Sequence, residues 1–387
     1  MTNTPWRAAT AIALFSLAAC GGGGGTATPP MSAPMLVTRT TMLTDNDRST
    51  DVDGDDGSNF LRAAGAPVTI GSTVDPINGD QNPYGLDVAK TSSPPISAGD
   101  LVICNFNDGP TNTQGNGTTI VALHPQVGST PVRVAQSPSL QGCNALALAP
   151  SDTIWAADFV ANNDAIVRPS GTIVSTLPGG PWHGPFGEAF SATPGPFGSA
   201  AFYVTNAGDG SIVRVDIHPN APFTFNVIAT GFAINGGAPG SILGPSGLQY
   251  DAERDRLIVI DGADNSVTTL RHVSTIPGGG ITVSGSTFGG PFAKRARRIF
   301  AGAPLNGPIS SALLASGHLV IGNTLDAVGA NLMVEIAMNG RVVGTKNVDT
   351  GAGGALFGMV ATGTRDDMKL YFNDDNDNTL KVLTARK

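Results

Sequence analysis

Residues 256–271 read RLIVIDGADNSVTTLR, and this stretch decides the fold because it has the pattern of a complete β-hairpin. The apolar run 257–260 and the Val/Thr-rich run 266–270 have the composition of strands. Between them lie Asp, Gly and Asn residues, which tolerate the backbone conformations of tight turns. The stretch therefore predicts two antiparallel strands joined by a short turn.

Strands of this kind recur along the chain. A short apolar strand that ends in Asn or Asp and leads into a turn occurs six times, at residues 101–105, 153–158, 201–206, 257–261, 319–323 and 370–373. The average step is about 54 residues, which leaves room for four strand-like runs in each repeat. A repeat of this length and content is typical of the blades of a β-propeller.

The two ends of the repeat array predict how the ring closes. Repeat four contains four candidate strands a to d, at 247–251, 256–261, 266–271 and 280–285, whereas the sixth repeat stops after its third strand at 379–384. The apolar run 66–70 stands before repeat one without a blade of its own. Because an unpaired strand edge is a liability, we expect this run to complete the last blade. The sequence thus predicts an all-β fold, a six-bladed β-propeller of four-stranded blades.

Several of these segments resemble known propeller repeats. Residues 261–267 are similar to the end of an NHL repeat, and residues 202–206 (FYVTN) resemble the YVTN type, with 83–86 and 245–248 fitting the same pattern. The resemblance covers residues 60–387, although repeat five departs from it and a long insert at 288–306 precedes that repeat. It implies the architecture and leaves the function open.

The N-terminus carries an export signal. An apolar run 8–19 ends in Leu17-Ala18-Ala19-Cys20, which resembles the lipobox of bacterial lipoproteins. The resemblance implies cleavage before Cys20, diacylglycerol on its sulfur and a fatty acyl chain such as palmitate on its amino group. Several chains on one residue anchor a protein firmly to a membrane. We therefore expect a lipoprotein anchored in the bacterial cell envelope, facing the periplasm or the exterior; the alternative is an ordinary signal peptide that contains a cysteine.

A tether is predicted between this signal (1–19) and the propeller domain (60–387). Residues 20–59 are rich in Gly, Pro and Asp and contain little to bury. Asp51, Asp53 and Asp55 resemble the start of a calcium loop, but Asp56 and Arg62 stand where an EF-hand needs Gly and Glu. A solvated acidic linker is the alternative that composition favours, and calcium is the one cofactor for which the sequence offers a motif.

Composition limits the classes of function. The chain of 387 residues has a net charge of −8 and no basic blocks, which argues against nucleic acid as a partner. No nucleophile elbow, His-Glu-x-x-His motif or phosphate loop is present. These features favour a monomeric binding or scaffolding module for a small molecule or a protein, with a purely structural envelope protein as a further alternative. Cys104 and Cys143 are candidates for a disulfide, or else two buried free thiols.

The candidate ligand site follows from the propeller prediction. Strand a of each blade lines the central channel, and its polar side chains include Asn144, Gln249 and Ser311. The connection before repeat three should reach the channel mouth, where Trp182 would stack on a ligand ring unless it packs within the loop. The complete set of ligand-binding candidates is Asp87, Asn144, Trp182, His183, Glu188 and Gln249.

The same residues also allow a second hypothesis, that the protein is an enzyme. Propellers of the gluconolactonase and streptogramin-lyase types hold a metal in the channel with acids, Asn or His, so the resemblance implies a metal-dependent lyase or lactone hydrolase as the alternative. Its participants here would be Asp87, Glu188 and His183, with a cation polarising a carbonyl or activating water. The contiguous signatures of those families are missing. The acidic b–c turns, as at Asp209 and Asp264, are explained by turn chemistry rather than by a ring of cation ligands.

Overall fold

A computed structural model of the protein describes residues 59–385, so the predictions for Cys20 and for Asp51, Asp53 and Asp55 lie outside the described residues. The described chain is all-β and forms six sheets. Neighbouring sheets pack face to face around a central channel, which confirms the six-bladed propeller. Within residues 59–385, no helix is long and apolar enough to cross a membrane.

The first half of the chain forms a short helix, the closing strand and three blades, whose bounds are as follows. The described part of the chain starts with α1 (Phe60–Ala63) and β1 (Val68–Ser72). Blade one contains β2 (Gln81–Val88), β3 (Leu101–Asn107), β4 (Thr119–Leu123) and β5 (Val132–Gln136). Blade two contains β6 (Cys143–Leu148), β7 (Ile154–Asp158), β8 (Asn163–Val167) and β9 (Ile173–Ser175). Blade three contains β10 (Pro185–Ser191), β11 (Ala200–Asn206), β12 (Ser211–Ile217) and β13 (Thr224–Thr230).

The second half forms blades four to six. Blade four begins with β14 (Pro245–Asp251), β15 (Arg256–Asp261) and β16 (Ser266–Arg271); then come the short strands β17 (Ile281–Ser284) and β18 (Thr287–Gly289), followed by β19 (Ala296–Ala301). Blade five contains β20 (Pro308–Leu313), β21 (Leu319–Asn323), β22 (Asn331–Ile336) and β23 (Val342–Asp349). Blade six contains β24 (Leu356–Thr362), β25 (Lys369–Asp374) and β26 (Thr379–Thr384). Single 3₁₀ turns lie at Pro138–Leu140, Val273–Thr275 and Ala293–Arg295.

The ring closes as the sequence predicts. Strand β1 pairs antiparallel with β26, with Val68 opposite Val382 and Ser72 opposite Thr379. The last sheet therefore has the strand order β1-β26-β25-β24. Ile70 of β1 is 3% exposed and lies in the core between blades six and one. The edge of β26 is thus covered by the start of the domain.

One strand assignment was wrong. Residues 280–285 do not form the fourth strand of blade four: β17 runs parallel to β13 and extends blade three, with Ile281 opposite Ala229. The fourth strand of blade four is β19, which pairs with β16 and lies inside the segment 288–306 that the sequence marked as an insert. An alternating apolar run specifies a strand but does not specify its neighbour. The 3₁₀ turn at Val273–Thr275 and the following Pro-Gly-Gly-Gly segment direct the chain back to blade three.

The hydrophobic core lies between the blades. Strand β3 is buried along its whole length because each face of the sheet packs on a neighbouring blade. Between blades two and three, for example, the ring of Trp155 stacks on that of Phe202 with centroids 3.9 Å apart. At the start of the described residues, Phe60 and Leu61 of α1 are buried in the core between blades five and six. These cores hold the six innermost strands in place around the channel.

Candidate binding site in the central channel

The innermost strand of each blade lines the channel, and the strands approach each other closely. At one level every blade supplies a small residue: Gly85, Ala145, Gly187, Gly247, Ser310 and Gly358. A Cβ atom on Gly187 would lie 1.8 Å from the carbonyl oxygen of Ser246, and one on Gly358 would lie 2.2 Å from that of Tyr84. Only glycine permits this approach at those two positions. As a result, the channel narrows here to a cavity of about 70 Å³.

A wider pocket opens at the end of the channel that carries the b–c turns and the connections from strand d to strand a; we call it the mouth pocket. Its volume is about 400 Å³. The ring of Tyr84 stacks between those of Phe106 and Phe357, with centroid distances of 4.3 and 3.8 Å. Together with Phe186, Ile242 and Ile309, these rings form one buried apolar cluster. The floor of the mouth pocket is therefore apolar and formed largely by packed aromatic side chains.

Amide side chains in the mouth pocket have unused hydrogen-bonding capacity. Asn144 lies at a β-bulge between Cys143 and Ala145, which turns it out of the ladder. It is 5% exposed, and neither its Oδ1 nor its Nδ2 has a hydrogen-bond partner among the described residues. The Oδ1 of Asn82 is likewise buried without a partner in this part of the chain. Buried polar groups are rarely left unpaired, so these atoms are candidates for ligand contacts.

Asp375 adds a titratable group to the mouth pocket. Burial raises the pKa of its carboxyl group to about 6, and the neighbouring carboxylate of Asp374 adds to the effect. The charge of Asp375 also acts on Tyr84. None of the described residues that line the mouth pocket is Lys or Arg. The pocket consequently suits a neutral or cationic ligand better than an anion.

A ring of mostly apolar side chains forms the waist of the channel, one residue further along each innermost strand. It consists of Leu86, Leu146, Glu188, Leu248, Ser311 and Met359. Glu188 is the one acid in this ring and is 7% exposed. Beyond the waist, at the opposite end of the channel, lies a second cavity of about 210 Å³ that Glu188 also borders.

Asp87 and Gln249 line this second cavity and not the mouth pocket. The carboxylate of Asp87 accepts hydrogen bonds from the backbone N–H groups of Val88 at 2.7 Å and Leu148 at 2.8 Å. Burial nevertheless raises the pKa of Asp87 above its ordinary value. The Nε2 of Gln249 donates to the carbonyl oxygen of Ser311 at 2.8 Å. Both side chains thus connect neighbouring innermost strands.

Trp182 and His183 lie away from the channel lining. Trp182 is 6% exposed, its indole N–H donates to the carbonyl oxygen of Leu177 at 3.1 Å, and its ring packs edge-on to Phe225 in the core between blades two and three. His183 is exposed, with its Nε2 3.8 Å from a carboxylate oxygen of Asp209. Among residues 59–385, no three Asp, Glu, His or Cys side chains form a group that could hold a metal ion.

The acidic b–c turns bond to their own backbone. Asp209 accepts from the N–H of Ser211 at 3.0 Å, and Asp261 accepts from the N–H of Ala263 at 3.0 Å. Asn265 and Asn378 adopt a positive φ of 53° in the same turns. These contacts are the turn chemistry that the sequence indicated.

A disulfide joins blades one and two. Cys104 of β3 and Cys143 of β6 are bonded, with their Cα atoms 6.0 Å apart. The bond lies beside Asn144, so it fixes the start of an innermost strand next to the mouth pocket.

The sequence reasoning missed most of the mouth pocket. Tyr84, Phe186 and Phe357 each stand directly before the glycine of an innermost strand, and this shared position was the available signal. It also missed Asp158 and Asp164, which the fold brings to Glu188 between blades two and three.

Comparison with known proteins supports the fold. No family model matches the chain, and a search of curated proteins finds no match. Among solved structures, a protein described as a "putative gluconolactonase" has a TM-score of 0.50 at 12% identity, covering 84% of this chain and 92% of that one. A structural genomics protein of unknown function from Bacteroides thetaiotaomicron also has a TM-score of 0.50, at 9% identity, covering 82% and 75%. A catalytically inactive virginiamycin B lyase from Staphylococcus aureus, solved with quinupristin, has a TM-score of 0.48 at 16% identity, covering 82% and 98%.

Proposed function

We propose that the protein is a lipid-anchored, exported binding module that takes a small ligand in the mouth pocket. The anchor would be Cys20, with residues 20–59 as the tether between the membrane and the propeller. The observation that supports ligand binding is the combination of stacked aromatic rings with unpartnered amide atoms in the described chain, namely both amide atoms of Asn144 and the Oδ1 of Asn82. Concave, largely apolar pockets with a few convergent polar groups are the usual form of small-molecule sites.

The lining indicates the class of ligand. The apolar aromatic lining of Tyr84, Phe186 and Phe357 favours a hydrophobic ring, and Asn144 offers one donor and one acceptor to it. The absence of basic residues from the described lining, together with the carboxyl group of Asp375, disfavours an anion. We therefore expect a neutral or cationic cyclic compound of a size that fits about 400 Å³.

This function can be tested by ligand-observed NMR with a library of neutral, cationic and anionic cyclic compounds. We expect neutral or cationic compounds to bind at one saturable site. Asn144→Ala should weaken their binding about tenfold, the loss of roughly one hydrogen bond to a buried amide. This variant should remain folded, because the side chain of Asn144 forms no hydrogen bond with the described chain.

The matched control is Gln126→Ala, an exposed residue in the c–d turn of blade one on the opposite face. The Gln126→Ala variant should bind the compounds with the same affinity as the unaltered protein. If Asn144→Ala and Gln126→Ala bind every compound alike, or if only anions bind, the mouth pocket is not the ligand site.

The competing function is a metal-dependent lyase or lactone hydrolase. Its three participants do not converge on one point: Asp87 and Glu188 both border the opposite cavity, whereas His183 is exposed on the mouth face. We therefore rank binding first. Elemental analysis of the purified protein distinguishes the two, since a stoichiometric divalent ion that chelators remove favours the enzyme.

A further inference from the structure

Three buried carboxyl groups lie beside one another between blades two and three. Asp158 ends β7, Asp164 lies in β8 and Glu188 lies in β10, and their residues are 0%, 0% and 7% exposed. None of their six oxygens has a hydrogen bond of normal geometry to an N–H or O–H group of the described chain. The carboxyl groups of Asp164 and Glu188 are neighbours, and each affects the pKa of the other. A carboxylate without a donor or counter-charge is costly in such surroundings.

The fold does not require acids at two of these positions. Asp164 faces Ala157 in the ladder, and the corresponding places in other blades hold Ile120, Ile212, Val267 and Leu380. Glu188 occupies a waist position that is Leu in three other blades and Met in a fourth. Apolar side chains would fill both positions. Packing alone therefore favours apolar residues where Asp164 and Glu188 lie.

Asp158 differs from its counterparts at the ends of the other second strands. Asn206 donates to the carbonyl oxygen of Pro181 at 2.8 Å, and Asn323 donates to that of Pro304 at 2.9 Å. Asp374 pairs with Lys381 at 2.7 Å. Asn105 and Asp261 also have partners, whereas the carboxylate of Asp158 has none of normal geometry among residues 59–385.

No cation of the described chain hydrogen-bonds to these groups. Lys90 borders the opposite cavity together with Glu188, but its Nζ donates to the carbonyl oxygen of Leu148 at 2.7 Å. Strand β6 carries no charged side chain, and Tyr203 of β11 packs in the core between blades three and four. His183 and Arg168, which flank blade two, are exposed, and His183 lies next to Asp209. Burial raises the pKa of all three acids well above the usual range, and the neighbouring acids raise those of Glu188 and Asp158 further. Neighbouring carboxyl groups that are buried together cannot all ionise near neutral pH.

We propose that Asp158, Asp164 and Glu188 form an internal proton-binding site that keeps the channel waist uncharged at neutral pH. Asn144, whose amide has no partner in the described chain, borders the same channel cavity as Glu188. Glu188 is the member of the cluster that borders the channel, so loss of protons places negative charge at the waist. The site therefore makes the charge of the channel depend on external pH, whatever ligand occupies the mouth pocket.

The sign of the pH dependence follows from linkage. The folded protein holds protons on these acids at a pH where the unfolded chain, with ordinary values near 4, releases them. Unfolding therefore releases protons from these acids, so their contribution to stability is fully present below about pH 4 and is lost as the pH rises through the folded-state values. The equilibrium constant for unfolding should increase about tenfold per pH unit for each proton released.

Urea unfolding between pH 5 and pH 9, with chelator present, measures the slope of the free energy of unfolding against pH. Asp164→Asn and Glu188→Gln each remove one acid and should make the free energy of unfolding depend less steeply on pH. Asp164→Ile introduces the residue that blades one and three have at this place. It should also reduce the pH dependence, and it should raise the stability at pH 9. The matched control Asp366→Asn removes an exposed acid and should keep the unaltered slope.

Infrared spectroscopy of the folded protein at pH 7 gives a readout that does not depend on unfolding. The carbonyl band of protonated carboxyl groups should be present, and weaker in Asp164→Asn than in the unaltered protein. Glu188→Gln gives the same comparison if Asp164→Asn does not fold. Absence of the band, equal slopes in the unaltered protein and Asp164→Asn, or removal of the slope by added Ca²⁺ in place of chelator would each overturn the proposal. The last result would identify the neutralising ion as a metal.

Discussion

Small residues in the innermost strands determine how closely the six blades approach the channel axis. Gly187 lies against the backbone of Ser246 in the next blade, so a methyl group there has no space. Its backbone N–H also donates to the hydroxyl of Thr205 at 2.8 Å. A substitution at this position must displace backbone of two blades rather than the end of a flexible side chain.

Gly187→Ala should accordingly lower the free energy of unfolding by about 1–3 kcal/mol or more, the usual effect of overpacking. Gly278→Ala is the matched control, because a Cβ there would lie 3.4 Å from the nearest atom, an ordinary contact. Urea denaturation of both variants provides the measurement. Equal stabilities would show that the innermost strands can separate without cost.

Among the strands, β1 has a role that its position in the chain does not reveal. It pairs with β26 across nearly the whole described sequence and gives blade six its outer strand. Ile70 packs between blades six and one, while Val68 on the same strand is 46% exposed. Closure therefore depends on one buried side chain together with the ladder of hydrogen bonds.

Ile70→Ala should destabilise the domain by about 2–5 kcal/mol, because it removes buried methyl groups and leaves a cavity. Val68→Ala on the exposed face should change the stability far less. Chemical denaturation, followed by circular dichroism, compares the two. A similar small effect of both variants would mean that β1 adds little to ring closure.

The whole molecule is a ring in which every blade is stabilised by its two neighbours. Beyond the inter-blade cores, one covalent link acts between blades, the disulfide of Cys104 and Cys143, which lie 39 residues apart. Such a link lowers the entropy of the unfolded chain. In the chain-entropy model, this raises the free energy of unfolding by about 4 kcal/mol for a loop of this length.

Replacing both cysteines by serine should therefore lower the free energy of unfolding by about 2–4 kcal/mol. A reducing agent should produce the same loss in the unaltered protein and none in the double variant. If the reductant changes neither protein, the bond does not contribute to stability in solution.

The repeating strands were predictable because their signals are local. The hairpin of residues 256–271 forms β15 and β16 as its pattern indicates. The error at residues 280–285 arose because β17 is a correctly identified strand with an unexpected neighbour, β13. The prediction for Trp182 was limited in the same way, since sequence placed it in the right connection and could not state which way the ring turns.

By itself, the sequence determined that the domain is all-β, that it has six blades and that its first and last strands pair. Alternation of apolar residues and turn-forming residues is short-range, and an unpaired edge needs a partner. Only the tertiary structure decided which side chains share the channel and which acids lie together. Asp164 and Glu188 belong to different blades, and their contact depends on register and blade packing, which no pattern within either strand contains.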